Sequence, residues 1–397
     1  MLTFVSKDIQ MKIIEVTNKQ KTHDFLNLPW LIYKNDKNWI PHLKQDIEKV
    51  FDPKQNKAHV NGKIIRWILK DDKNKTIGRI AAFINYDIAN SYQQPTGGIG
   101  FFECINDKKV AFLLFDTAKD WLIKNGMEAM DGPINFGEKN MFWGLLTENF
   151  IDLSSYGMNY NPPYYEELFE EYGFQVYYKQ FMYKRDMDTP LDQVFIDKYE
   201  RLLQRKDYTI SNVRKLSLNQ IAENFRLVYN DAWGGHDNFK DMDLKTAQEI
   251  MQTLKPIYDK DIMIFVYYKN TPIAFFINIP ELNELFKHVN GNLNWWGKLK
   301  FLYYKYTTTP TTMVGIVFGV SRKFQGRGIE AAMIKWSQDN IAPLNRYNQT
   351  VLTWIGDFNP KMLKVSEYLG AKVYRTYHTY RFLFDRNVAF ERCQIME

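Results

Sequence analysis

Cysteine is nearly absent from this chain, with Cys104 and Cys393 the only two in 397 residues. Two isolated thiols exclude a disulfide-stapled scaffold and a cysteine-built metal site, and they fit a reducing cytoplasm, the expected location. Long apolar runs are missing too. No stretch reaches the roughly 18–20 residues needed to cross a bilayer. The opening MLTFVSKDIQMKIIEV has no basic region followed by a sustained apolar core and a small-residue cleavage site, so neither a membrane span nor a secretory signal is expected. The six histidines form no HxxxH or His/carboxylate cluster, and no metal site is expected. Nor is there a block of one charge: 52 basic and 46 acidic residues are interspersed, for a net +6. That balance leans weakly toward an anionic ligand and more weakly still toward nucleic acid, which is not expected as a partner.

Aromatic residues are plentiful, at 16% with 25 Tyr and 28 Phe, which points to extensive packed or binding surface. The length exceeds the usual size of one core, so two domains are expected. Periodicity gives the same order of elements twice. IIRWILK (64–70) and IGRIAAFINY (77–86) pair as a hairpin across a polar turn, as do IMIFVYY (262–268) and PIAFFINIP (272–280). A strand follows in each half, GGIGFFE (97–103) and TMVGIVFGV (312–320). Each strand feeds an amphipathic helix, marked by Ala111, Leu114, Phe115, Ala118 and Leu122 in one half and by Ile329, Ala332, Met333 and Trp336 in the other. Both halves close with a Pro-led helix, a glycine and a long aromatic strand (162–186 and 359–385). The expected boundary lies in MDTPLDQ, giving units at 11–190 and 191–390.

The segment GVSRKFQGRGIEAAMI (319–334) sits between a strand and a helix start, where free backbone N–H groups and the positive end of the helix dipole make an anion site. It lacks the GxxxxGK of a P-loop and the third glycine of a dinucleotide fingerprint. Gln325-Gly326-Arg327-Gly328-Ile329-Glu330 instead resembles the Q/R-x-x-G-x-G/A motif of the GNAT superfamily of acyl-CoA-dependent N-acyltransferases. The order of elements resembles the GNAT core as well, closely over 190–385 and without the motif over 11–186.

The resemblance implies an α/β (α+β) fold of two tandem GNAT-like domains, each a mixed, mostly antiparallel sheet flanked by helices. It implies an N-acyltransferase with acetyl-CoA or a longer acyl-CoA as donor and a small-molecule or peptide amine as acceptor. Backbone amides of Gln325, Gly326, Arg327, Gly328, Ile329 and Glu330 would hold the coenzyme pyrophosphate, and the main chain of Phe318, Gly319 and Val320 would run beside pantetheine. Asn359 matches the Asn that commonly follows the next strand. Two departures stand out. Glu330 replaces a small residue, and Ser366 stands where the family commonly has the Tyr that protonates the departing thiolate. The N-terminal loop CINDKKV has no glycine, so one coenzyme per chain is expected, with 131–146 and 159–165 as walls for an acceptor.

Asp357 and His236 complete the catalytic candidates with Ser366: Asp357 because it ends the strand before Asn359, and His236 because a loop imidazole titrates near neutral pH. The insertion LFKHVNGNLNWWGKLKFLYYKY (285–306) interleaves aromatic and basic residues, a pattern that suits single-stranded nucleic acid or a membrane surface, but its place between the second and third strands of the GNAT order implies a lid or an acyl-chain groove. Two other functions remain open: an acyl-CoA-binding or sensing protein without catalysis, which Ser366 would suit, and an aminoacyl-tRNA-dependent transferase.

Overall fold

The computed structural model describes residues 11–234 and 241–396. The first half runs through β1 (Lys12–Glu15), α1 (Lys19–Ile32), α2 (Lys44–Phe51), the hairpin β2 (Gly62–Lys70) and β3 (Thr76–Asn85), then the short α3 (Tyr86–Ala89). β4 (Thr96–Cys104), α4 (Lys108–Lys124), β5 (Ala129–Gly132), β6 (Leu145–Glu148), α5 (Tyr164–Tyr172) and β7 (Gln175–Asp186) complete it. The second half has α6 (Gln193–Leu203), β8 (Tyr208–Asn212), α7 (Leu218–Trp233), α8 (Leu244–Leu254) and the hairpin β9 (Met263–Tyr268) and β10 (Thr271–Pro280). The short α9 (Asn283–Phe286), α10 (Trp295–Thr307), β11 (Thr312–Val320), α11 (Ile329–Ile341), β12 (Gln349–Gly356), α12 (Pro360–Tyr368) and β13 (Lys372–Leu383) follow. The repeated hairpin–strand–helix–strand–helix–strand order is thus present in both halves.

Local rules set the helices that carry the repeat. Asp107 caps α4 by accepting from the amides of Lys109 and Val110, and Gly126 leaves it in the left-handed region at φ 82°. Between those ends Val110, Leu114, Phe115, Ala118 and Leu122 are buried. Burial of each larger side chain stabilises the helix on the sheet by roughly 1.5–3 kcal/mol. α7 opens with a capping box between Ser217 and Gln220 and buries Ile221, Ala222, Phe225 and Val228. Strand alternation then divides the two faces. In β3, Phe83 packs in the cluster with α1 and α2, whereas Ile80, Ala82 and Ile84 pack with α4. In β10, Phe275 and Ile277 face α7 and α8, whereas Ala274 and Phe276 face α11.

Among the described residues the strands form one mixed, mostly antiparallel sheet in the order β1-β2-β3-β4-β5-β13-β7-β12-β11-β10-β9-β8, with β6 also on β13. The closing strands are exchanged. β7, from the first half, pairs with β12 from Gln349↔Asp186 to Gly356↔Gln180. β13, from the second half, pairs with β5 from Tyr380↔Gly132 to Leu383↔Ala129. A cut near residue 190 therefore leaves each half of the sheet holding a strand from the other half of the chain. Arg381 of β13 marks the exchange with a buried bidentate pair to Asp131 of β5, at 2.6 and 2.8 Å, its guanidinium 3.6 Å over the Tyr177 ring. Removing either charge would strand the other in a dry interior, a loss of roughly 3–5 kcal/mol. No helix among the described residues is long and apolar enough to cross a membrane.

Candidate functional site

Among the described residues two neighbouring strand pairs in the sheet are parallel, β4 with β5 and β11 with β12. In the second half the pairing runs from Thr312↔Gln349 to Gly315↔Leu352 and stops. Beyond it β11 continues on β10 to Val320, and β12 continues on β7 to Gly356. The two strands splay into a wedge. Ile316, Val317 and Phe318 on one side and Thr353, Trp354 and Ile355 on the other are half-buried, which is unusual for strands in the middle of a sheet.

The wedge leads to the glycine turn. Gly326 and Gly328 both lie in the left-handed region, at φ 71° and 80°, which makes glycine the natural residue at each. Gly328 starts α11 without any side-chain cap, and the amides of Gly326, Arg327, Gly328, Ile329 and Glu330 have no partner among the described residues. A Cβ at Gly326 would stand in open space, so the turn presents bare backbone outward. Five unpaired N–H groups at a helix N-terminus make a site suited to a phosphate-bearing anion.

Gln325 sits behind this turn and holds it, its amide donating to Val320 O at 3.0 Å. Arg322 is 3.9 Å from Asp231 of α7, and Arg327 lies over the Phe324 ring. The stem of Lys198 in α6 lies against Gly328, a cation that sequence spacing did not bring to this turn. Glu330, in the first turn of α11, puts its carboxylate where the helix dipole already favours negative charge. Gly319 lets the Trp233 ring of α7 lie on β11, since a Cβ there would be 2.8 Å from the ring.

The catalytic candidates are placed less favourably. Ser366 is fully buried, and its hydroxyl donates to Met362 O one turn back along α12, so it is occupied within its own helix. Asp357 is held by Arg392 at 2.5 Å, while Asn359 caps α12 by accepting from the Met362 amide. His236 lies outside the described residues. Tyr368, two positions from Ser366, is exposed.

Two residues at the wedge went unnoticed in the sequence. Asn278 of β10 lies at the register shift where β10 leaves Ile277↔Val317 for Asn278↔Gly315, so Ile316 is bulged at the apex of the wedge. Its Nδ2 donates to Ile262 O at 2.8 Å, but its fully buried Oδ1 has no partner. An acceptor left unsatisfied there is costly and marks a site that a ligand could complete. The only sequence signal was a lone Asn inside the apolar run PIAFFINIP. Tyr178 of β7 stacks on Trp354 in the splayed part of β12, with ring centroids 6.5 Å apart. Its hydroxyl accepts from Trp143 Nε1 at 2.8 Å, and burial pushes its pKa up, so it keeps its proton at neutral pH.

Beside Trp354 a cavity of about 330 Å³ opens between the halves. Phe83, Ile134, Phe136, Trp143, Trp354 and Phe358 form much of its wall, and Asn135 contributes a buried Oδ1 that also lacks a partner. The C-terminal tail borders it: Cys393 N donates to Tyr177 O and Met396 N to Phe358 O. Part of the 131–146 segment lines this pocket, which reaches β12 at Trp354 and takes no residue of β11 into its wall. The 159–165 segment is instead tied into the first half, where Asn161 bonds Leu146 and Tyr165 bonds Glu103.

The corresponding place in the first half is closed. β4 and β5 pair from Thr96↔Ala129 to Gly98↔Asp131, and the chain after β5 then stays on β4, with Ile134 N donating to Ile99 O at 2.8 Å. Gly100 makes this possible, since a Cβ there would be 2.1 Å from Ile134 O.

The duplicated order of elements around one sheet agrees with the comparisons to solved structures. One, the tandem GNAT protein from the clavulanic acid biosynthesis pathway, superposes with a TM-score of 0.52 over 96% of this chain and 100% of its own, at 9% identity. The chain has the tandem GNAT fold. A GCN5-related glucosamine N-acetyltransferase region of a fungal multi-domain β-N-acetylglucosaminidase gives a TM-score of 0.53 at 12% identity, covering 94% of this chain but only 38% of that one. No family model matches the sequence. Two curated proteins are similar along nearly their whole lengths. The bacterial ceramide synthase of Caulobacter vibrioides (strain NA1000 / CB15N) is 25% identical over 96% of this chain and 99% of its own. Protein YghO of Escherichia coli (strain K12) is 25% identical over 91% and 93%. The open wedge lies in the second half of this fold and the closed one in the first.

Proposed function

We propose that this chain is an N-acyltransferase that draws an acyl group from acyl-CoA bound in the β11/β12 wedge and passes it to the amine of a long-chain base. The observation that carries the reading is the open wedge leading to unpaired amides at Gly326–Glu330, in a sheet whose other parallel pair is closed. Gln325, Gly326, Arg327, Gly328, Ile329 and Glu330 hold the pyrophosphate, and Phe318, Gly319 and Val320 guide pantetheine toward Gly315. Asn359 acts through the cap of α12, fixing the turn beside β12.

The neutral amine attacks the thioester carbonyl. The C–N bond forms and the C–S bond breaks; the amine nitrogen gives its proton to solvent water, and the sulfur leaves as thiolate or, once protonated by Tyr178, which solvent reprotonates, as thiol. Asn278 Oδ1 accepts from the amine N–H and orients its lone pair. The Tyr178 phenol, beside Trp354 of β12, replaces Ser366 as the proton donor. Asp357 serves the C-terminal tail through Arg392. The apolar cavity beside Trp354 receives the acceptor, and its size falls at the low end of the ~300–1,000 Å³ of small-molecule pockets. The similarity to a bacterial ceramide synthase supports a lipid amine over a peptide.

The test is release of free thiol by the purified protein from acyl-CoA donors of increasing chain length, against sphinganine, short alkylamines and a lysine peptide. Turnover restricted to the long-chain base is expected. Coenzyme binding by calorimetry without thiol release on any amine would favour a sensing role. Absence of coenzyme binding would overturn both.

A further inference from the structure

The insertion between β10 and β11 is fixed on one side and bare on the other. Leu282, Leu285, Phe286, Val289 and Phe301 are buried together with Leu43 of the first half. Trp30 Nε1 donates to Asn290 Oδ1 at 2.9 Å and Lys44 N to Gly291 O at 2.9 Å, so the insertion bridges the two halves. α10 is held to this base through Gly297 and Phe301.

Its outer face carries Trp295 and Trp296, each 65% exposed, Tyr303 at 62%, Tyr306 at 82%, and Leu299 and Leu302. At about 100° per residue these six positions fall within an arc of about 120°. Lys298 and Lys305 border that arc on one side and Lys300 on the other. Lys305 Nζ reaches back to Pro256 O, whereas Lys298 and Lys300 have no carboxylate partner among the described residues. From 285 to 329 the chain contains no Asp or Glu at all, against four lysines in 285–306.

An apolar face of this size is not a chance scatter of surface side chains. Lysine flanks are poor for the centre of a protein–protein contact, where Lys is depleted. Tryptophan and tyrosine with lysine on the margins are the composition of a helix lying in the headgroup layer, rings at the acyl boundary and amines among anionic headgroups. We propose that α10 docks this protein onto the surface of an anionic lipid bilayer. The contact is peripheral: the helix lies on the membrane and does not span it. The same surface would bring the chain to a lipid amine, but the proposal does not depend on the acyltransferase reading, and its test needs no turnover.

The full chain is floated with vesicles of phosphatidylcholine alone and of phosphatidylcholine with phosphatidylglycerol in equal parts. Binding to the anionic vesicles, weakened by raised salt, is expected. Trp295→Ser with Trp296→Ser should cut the partition coefficient at least tenfold, and Lys298→Gln with Lys300→Gln about tenfold on anionic vesicles only. Because these side chains point outward, an unchanged melting temperature shows that the fold is kept. Failure of the wild type to bind either vesicle would overturn the proposal, as would equal binding by the tryptophan variant. So would a wild-type dimer in sedimentation that the tryptophan variant converts to monomer, since the occupant would then be a second copy.

Discussion

After Gly98 and Asp131 the strands β4 and β5 part, and Pro133 and Ile134 take the place that β5 vacates; after Gly315 and Leu352 the strands β11 and β12 part, and no described residue takes the place of β12. The consequence shows in burial. β4 is buried at every position but Phe101 and β5 at all four, whereas the splayed parts of β11 and β12 are half-exposed. One scaffold therefore does two jobs, depending on whether the chain after the second parallel strand stays on the first. Where it stays, the parting strands become core. Where it turns away into α12, they become a cleft with a glycine turn at its mouth.

The comparison can be broken first at the turn. Gly328→Ala should weaken coenzyme binding at least 100-fold by calorimetry, about 2.7 kcal/mol. Alanine resists the left-handed region by roughly 1–2 kcal/mol, and the shift that relieves this misaligns the amides. Equal affinity would remove the cradle from the argument. In the closed wedge Gly100→Ala should leave coenzyme affinity within about twofold but lower unfolding free energy by about 2–3 kcal/mol, because the new methyl meets the Ile134 carbonyl rather than a yielding side chain. An unchanged denaturation midpoint would mean that the closed wedge is looser than its contacts imply. Asn278→Ala should reduce kcat about 10–100-fold with little change in KM for acyl-CoA, as expected of a group that orients the amine. A purely structural role would instead appear as lost stability with kcat intact.

How far the sequence alone revealed this contrast differs between its parts. Hairpins, helix caps and the glycine turn are local, and β11 begins and ends at the residues its pattern implied, Thr312 and Val320. The missing glycine in CINDKKV marked the first half as different, but not how it is closed: that depends on Ile134 meeting Gly100, a contact across 34 positions that no periodicity encodes. The strand exchange was hidden for the same reason. β7 and β13 have similar aromatic patterns, so either would fit either neighbour, and the choice is fixed by long-range pairs such as Arg381 with Asp131. Asn278 was invisible because its significance is a bulge on the partner strand and an oxygen left without a donor. Ser366 was legible as a departure from the family's pattern, but only the structure shows its hydroxyl spent on Met362.

Glu330 provides the finest probe of the open wedge. Its carboxylate sits in the first turn of α11, beside the amides of Gly326–Ile329 that the pyrophosphate would use. It stabilises the empty helix end through the dipole, by roughly 0.3–1 kcal/mol, and repels an arriving anion by a comparable amount. Glu330→Ala should therefore tighten coenzyme binding about three- to tenfold and lower the melting temperature of the free protein slightly, with the affinity gain shrinking as salt screens the repulsion. Glu330→Gln, which removes the charge but keeps the size, should recover most of that gain. If only the alanine variant binds more tightly, the obstruction is steric, and the close approach of backbone to pyrophosphate, rather than charge, limits the cradle.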